Sequence, residues 1–178
     1  MAAKALLVGL GNPVLGDDAI GLVLARAVVA RLAASPLPAA CATLDALDVE
    51  DDCSAGGLEL LAVLEGRPRV VLLDAIVTGC APPGTLHRLT AAALPPTRHL
   101  AGPHDADLAT ALALGRRLGL DLPPDEAIAI FAVEIEPCRE FRATLTPALE
   151  RALPVLAEAV MDDLLADLAA LSSPRAAR

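Results

Sequence analysis

The chain has 178 residues, 55% of them hydrophobic, and a formal net charge of -9. That length suits one domain with a sizeable core, and the apolar fraction excludes disorder over most of the chain. The acidic balance opposes nucleic acid and anionic lipid as partners, and no stretch free of charge is long enough to span a bilayer.

Residues 5–10 form an apolar run that reads as a buried strand, and Gly9 and Gly11 let the backbone turn tightly at its end. Asp17 and Asp18 follow. Ile20, Val23, Leu24, Ala27 and Val28 then repeat at helical spacing, which predicts a helix over 18–32. Ser35-Pro36-Leu37-Pro38 breaks it. A second strand lies within 41–51, where Asp45, Asp48, Glu50, Asp51 and Asp52 read as a solvated acidic loop. Residues 54–57 make a turn, and 58–64 make a short helix stopped by Gly66 and Pro68. Val70-Val71-Leu72-Leu73 is a buried strand ending at Asp74. Pro82-Pro83-Gly84 is a turn, 85–89 an edge strand, and 91–103 an irregular, proline-interrupted stretch. A helix begins near His104 with Leu108, Ala111, Leu112 and Gly115 on one face, and 127–133 is a further buried strand. Thr146 and Pro147 read as an N-cap and first-turn proline, opening a helix that Pro154 is expected to kink. Residues 172–178 read as a frayed tail.

Strands that alternate with helices predict an α/β fold, a three-layer sandwich with a mostly parallel twisted sheet flanked by helices on both faces. It is organised as a single domain over residues 1–171. Phe131 and Phe141 are the only aromatic residues, so the core is aliphatic, as suits helices on a parallel sheet. Cys41, Cys53, Cys80 and Cys138 form no Cys-x-x-Cys pair, which argues against a zinc knuckle. Scattered thiols and no signal-peptide pattern at the N-terminus point to the cytoplasm.

In such sheets sites form outside the carboxyl ends of the strands. Asp17 and Asp18 follow the first strand, Asp52 the second and Asp74 the third, while His104 opens a later helix. Carboxylates and an imidazole on different loops at one sheet edge make an open-sided site for a divalent metal. Each residue also has a plainer reading. Asp17 or Asp18 can cap a helix, Asp74 can cap a turn, and His87 and His99 carry no motif. A nucleotide phosphate does not fit here, because acids occupy the turn and the third glycine of a dinucleotide fingerprint is missing.

Taken together, the motifs resemble those of the hydrogenase maturation endopeptidase family. They are Gly9-Leu10-Gly11-Asn12-x-x-x-x-Asp17-Asp18-x-x-Gly21, Asp74-Ala75-Ile76-Val77 followed by Pro83-Gly84-Thr85, Pro103-His104, Glu136-Pro137, and Leu145-Thr146-Pro147-Ala148-Leu149. The resemblance implies an endopeptidase that removes the C-terminal extension of a nickel–iron hydrogenase large-subunit precursor after nickel insertion, with the substrate's nickel as the recognition signal. It implies Asp18, Asp74 and His104 as metal contacts, with Asp17 a neighbouring acid outside the set. The family's Asp-Gly-Gly-Thr-x-Gly is replaced by Asp52-Cys53-Ser54-Ala55-Gly56, so Asp52 and Gly56 are kept and Gly-Gly-Thr is not. Cys53, Ser54 and Gly56 are the candidate contacts of this substrate loop. Hydrolysis is expected to be of aspartic type or metal-assisted, with Asp18 or Asp52 as the base. No nucleotide or organic cofactor, nucleic acid or membrane is expected, and the chain is expected to be a monomer.

Two other readings share these residues. A nickel-sensing chaperone would dock on the hydrogenase subunit without cutting it. Leu7-Val8-Gly9-Leu10-Gly11-Asn12-Pro13 is also similar to the start of bacterial peptidyl-tRNA hydrolase, but Val14 and then acids follow here, and Thr97-Arg98-His99-Leu100 comes too late.

Overall fold

The computed structural model describes residues 4–53, 58–93, 108–137 and 141–172. Apolar runs without polar alternation become its central strands. Ala5–Leu10 (β1) is buried along its whole length. It lies between Leu47–Cys53 (β2) and Val70–Ile76 (β3), both parallel to it. Ile128–Glu134 (β5) pairs parallel with β3 on the other side, and Leu86–Thr90 (β4) closes that edge antiparallel to β5. The five-stranded order is β2-β1-β3-β5-β4, the mostly parallel sheet that the alternation of elements predicts.

Helices cover both faces. Ile20–Ala34 (α1), Pro38–Asp45 (α2) and Pro147–Ser172 (α5) lie over Leu7, Val71, Leu73, Ala75, Phe131 and Val133. Leu58–Leu64 (α3) and Leu108–Arg117 (α4) lie over Leu6, Val8, Val70, Leu72, Ile128, Ile130 and Ala132. This is the three-layer sandwich. Successive strand side chains point to opposite faces, so Asp74 on β3 and Glu134 on β5 share the α3/α4 face.

Several boundaries differ from expectation, each for a local reason. α1 starts at Ile20, because Asp17 and Asp18 sit in a 3-10 turn over Gly16–Ala19. α2 is an additional helix: Pro38 occupies its first turn, where a missing N–H costs nothing, and so opens a helix after the break. The acidic run is not a loop. Asp45 ends α2, and the acids from Asp48 to Asp52 lie in edge strand β2, where Asp48 pairs with Arg67 and, at 3.7 Å, with Lys4, and Asp51 pairs with Arg26 of α1 at 3.1 Å. β3 does not end at Asp74 but continues to Ile76.

Candidate functional site

The site is built by glycines that let backbone segments touch. β1 leaves the sheet through Gly11, at φ 143, where a Cβ would stand 2.1 Å from the backbone oxygen of Asp18. Gly21, in the first turn of α1, approaches the strand ends more closely than any other residue type could. A Cβ there would meet the carbonyl oxygens of Leu10 at 2.2 Å and Leu73 at 2.3 Å. The 3-10 turn carrying Asp18 is thereby pressed against the carboxyl ends of β1 and β3.

Asp18 is half-buried, and its Oδ2 accepts the N–H of Asn12 at 3.1 Å. The Asn12 Oδ1 accepts the N–H of Val14 at 3.1 Å, which stiffens the turn. Asp74 is half-buried, and its Oδ1 accepts the N–H of Ala75 at 2.8 Å. Burial pushes the Asp74 carboxyl up to about 7; the Ala75 hydrogen bond opposes this and the negative charge of Asp18 adds to it. The structure therefore brings Asp18 and Asp74 within electrostatic reach of each other, with oxygen donors that suit a divalent cation. His104, which the resemblance adds to this pair, lies outside the described residues. Among the described residues no group of three or more His, Cys, Asp or Glu side chains gathers for a metal.

Asp17 has a different task. It is only 4% exposed, and its carboxylate accepts the Thr146 N–H at 2.6 Å and the Thr146 hydroxyl at 2.9 Å. Next to it the Gly16 N–H donates to the Arg142 oxygen at 2.7 Å and the Arg142 N–H to the Val14 oxygen at 3.0 Å. Asp17 thus straps the first βα turn to the start of α5, and no side chain caps α1.

Asp52 is exposed on edge strand β2, where the register with β1 slips between Val8 and Leu10. β1 stands between it and the strand that bears Asp74. Cys53 is buried in the α3/α4-side core with Leu10, Leu60, Leu61 and Leu64. Ser54 and Gly56 lie outside the described residues, as do His99, Cys138 and the tail from 173.

Sequence reasoning did not single out Glu134, and it set His87 aside. Glu134 is 1% exposed. Its Oε1 accepts the N–H groups of Thr78 at 2.7 Å and Gly79 at 2.9 Å, while its Oε2 accepts the Thr78 hydroxyl at 2.7 Å and the His87 Nε2–H at 3.0 Å. Burial opposes its ionisation, but these bonds from Thr78, Gly79 and His87 prevail and hold the carboxyl below its ordinary value. The available signal was the one that marks Asp74: an acid inside an otherwise apolar strand.

No family model matches the chain. It is similar to the hydrogenase 2 maturation protease of Escherichia coli, with 29% identity over 160 residues that cover 87% of this chain and 92% of the relative. The solved structure of the hydrogenase-maturating endopeptidase HybD from E. coli superposes with a TM-score of 0.71, covering 92% of this chain and 93% of that one at 29% identity. The hydrogenase maturation protease HycI from Thermococcus kodakarensis shares the fold, with a TM-score of 0.57 at 21% identity over 91% of this chain and 92% of that one. Near full-length similarity to the E. coli protease, in sequence and in fold, agrees with the motifs around Gly11, Asp18 and Asp74: the chain is similar to the hydrogenase maturation endopeptidases throughout its described fold.

Proposed function

We propose that this chain is the endopeptidase that removes the C-terminal extension from a nickel–iron hydrogenase large-subunit precursor once nickel has been inserted. The observation that carries this reading is the packing of Gly21 on the ends of β1 and β3, which brings the turn bearing Asp18 beside Asp74, whose carboxyl is raised by burial and then by the charge of Asp18. Such a pair is relieved by a cation, and here the cation arrives with the substrate. Asp18, Asp74 and His104 are the contacts to that nickel, two oxygen donors and one nitrogen, a set suited to a borderline divalent ion. The chain itself needs no nucleotide or organic cofactor, and it works as a monomer in the cytoplasm, where its substrate is assembled.

The reaction is peptide-bond hydrolysis. Water adds to the scissile carbonyl carbon, the C–N bond breaks, and the leaving amine takes up the proton removed from the water. Asp18 or Asp52 serves as the base, in an aspartic-type or metal-assisted route. Ser54 and Gly56 belong to the loop that meets the substrate, whereas Cys53, expected there too, is buried at the end of β2 and anchors that loop in the core.

The test is incubation of the chain with nickel-loaded and nickel-free precursor, read as intact mass. Loss of the extension from the nickel-loaded form alone is expected. A stable complex with uncut precursor would replace the endopeptidase reading with a nickel-sensing chaperone.

A further inference from the structure

We propose that Glu134 is a positioning residue for precursor cleavage: it staples both ends of the loop between β3 and β4, and so fixes one wall of the cleft beside Asp74. This rests on the endopeptidase reading given above.

The loop runs from Val77 to Thr85, and one residue holds it at both ends. The Glu134 side chain holds the front, through the N–H groups of Thr78 and Gly79 and the Thr78 hydroxyl. Its main chain holds the back: the Gly84 N–H donates to the Glu134 oxygen at 2.8 Å, and the Glu134 N–H donates to the Thr85 oxygen at 2.9 Å. His87, on β4, occupies the remaining acceptor position of the carboxylate. The Thr78 hydroxyl oxygen also accepts the Cys80 N–H at 3.1 Å, extending the hold one residue further.

The position of this staple ties it to the site. Glu134 lies opposite Ile76 in the β3–β5 register, and Asp74 lies opposite Ala132. Glu134 is therefore two residues further toward the carboxyl edge on the same sheet face as Asp74. The stapled loop leaves β3 at that edge, and its first side chain, Val77, is 38% exposed. A buried carboxylate is a costly means of closing an ordinary turn, since an apolar residue would pack there without desolvating a charge. The three bonds that its carboxylate accepts from Thr78 and Gly79 give the loop one conformation, so a wall that contacts an extended peptide is ordered before the peptide arrives. The effect belongs to substrate binding.

Two substitutions separate this role from a merely structural one. In Glu134→Gln the amide oxygen can still accept both backbone N–H groups, and the NH2 can donate to the Thr78 hydroxyl oxygen and to His87 in its other tautomer. Glu134→Met keeps the volume and removes every side-chain bond. With nickel-loaded precursor, Glu134→Gln should keep KM within about twofold, and Glu134→Met should raise KM about tenfold with kcat within about threefold. Amide hydrogen exchange at Thr78 and Gly79 should accelerate in Glu134→Met and not in Glu134→Gln. Thr78→Val, which removes only the hydroxyl, should raise KM in the same direction by less, and it carries the test should Glu134→Met fail to fold. Unchanged KM in the variants that fold overturns the proposal, as does Glu134→Gln behaving like Glu134→Met. A wild-type chain that cuts while these variants keep its KM leaves the endopeptidase reading intact and removes only the positioning role. A wild-type chain that cuts nothing removes both.

Discussion

Asp17 accepts two hydrogen bonds from Thr146, whereas Asp18 turns to Asn12 and adds its charge to the burial that raises the pKa of Asp74. Adjacent acids of one type are thus divided between holding the turn and standing near Asp74, a division set by where the 3-10 turn points each side chain. Asp74 carries a measurable signature of this arrangement. Its folded-state pKa of about 7 lies above the ordinary 3.8, so the folded chain binds this proton more tightly than the unfolded one. Its contribution to stability is therefore full in acid below the ordinary value and is lost as pH rises toward about 7. Asp74→Asn keeps an oxygen for the Ala75 N–H and carries no charge. Relative to that variant, the wild-type unfolding temperature should fall between about pH 4 and about pH 7 and then hold a constant deficit. Thermal unfolding across that range measures it, and a gap that does not change with pH would remove the assigned shift. The same variant should fold at neutral pH yet lose processing of nickel-loaded precursor, read as intact mass.

At the scale of elements, the contact between α1 and the ends of β1 and β3 sets the spacing of the two carboxylates. Gly21→Ala would drive a methyl group into the carbonyl oxygens of Leu10 and Leu73, which are backbone atoms with little freedom to yield. The variant should lose about 3 kcal/mol of stability, at the upper end of the range for overpacking, as read by denaturant unfolding. A loss below about 1 kcal/mol would mean that α1 shifts freely, and that its packing does not set the site. β1, β3 and β5 were legible because central parallel strands are buried on both faces and read as unbroken apolar runs. β2 was legible only as a strand somewhere within 41–51 and its limits were not, because an edge strand with Asp48, Glu50 and Asp51 has the composition of a loop. α2 was hidden by Pro38, which breaks one helix and opens the next with the same missing N–H. Asp18 and Asp74 could be placed from the rule that sites lie at strand carboxyl ends. Glu134 ends an apolar strand in the same way, but its partners were not legible, because Thr78 and His87 lie 56 and 47 residues away and no local pattern links them.

For the molecule as a whole, the net charge of -9 and the acids in the first βα turn set its choice of partners. Peptidyl-tRNA should not bind measurably in a gel-shift titration at low salt, and tight, salt-sensitive binding with release of the peptide would revive the hydrolase reading. Among the described residues no helix is long and apolar enough to cross a membrane. The strap between Asp17 and Thr146 has a bearing on how the chain comes into being. These residues are 129 positions apart, so a turn is tied by a segment that leaves the ribosome 129 residues after it. Such a contact closes late, because a long stretch of chain must be ordered before it forms. A nascent chain that ends before Thr146 lacks this strap, and the turn that carries Asp18 is held only by the packing of Gly21 on β1 and β3. Competence therefore comes with the start of α5, after the whole sheet has been made.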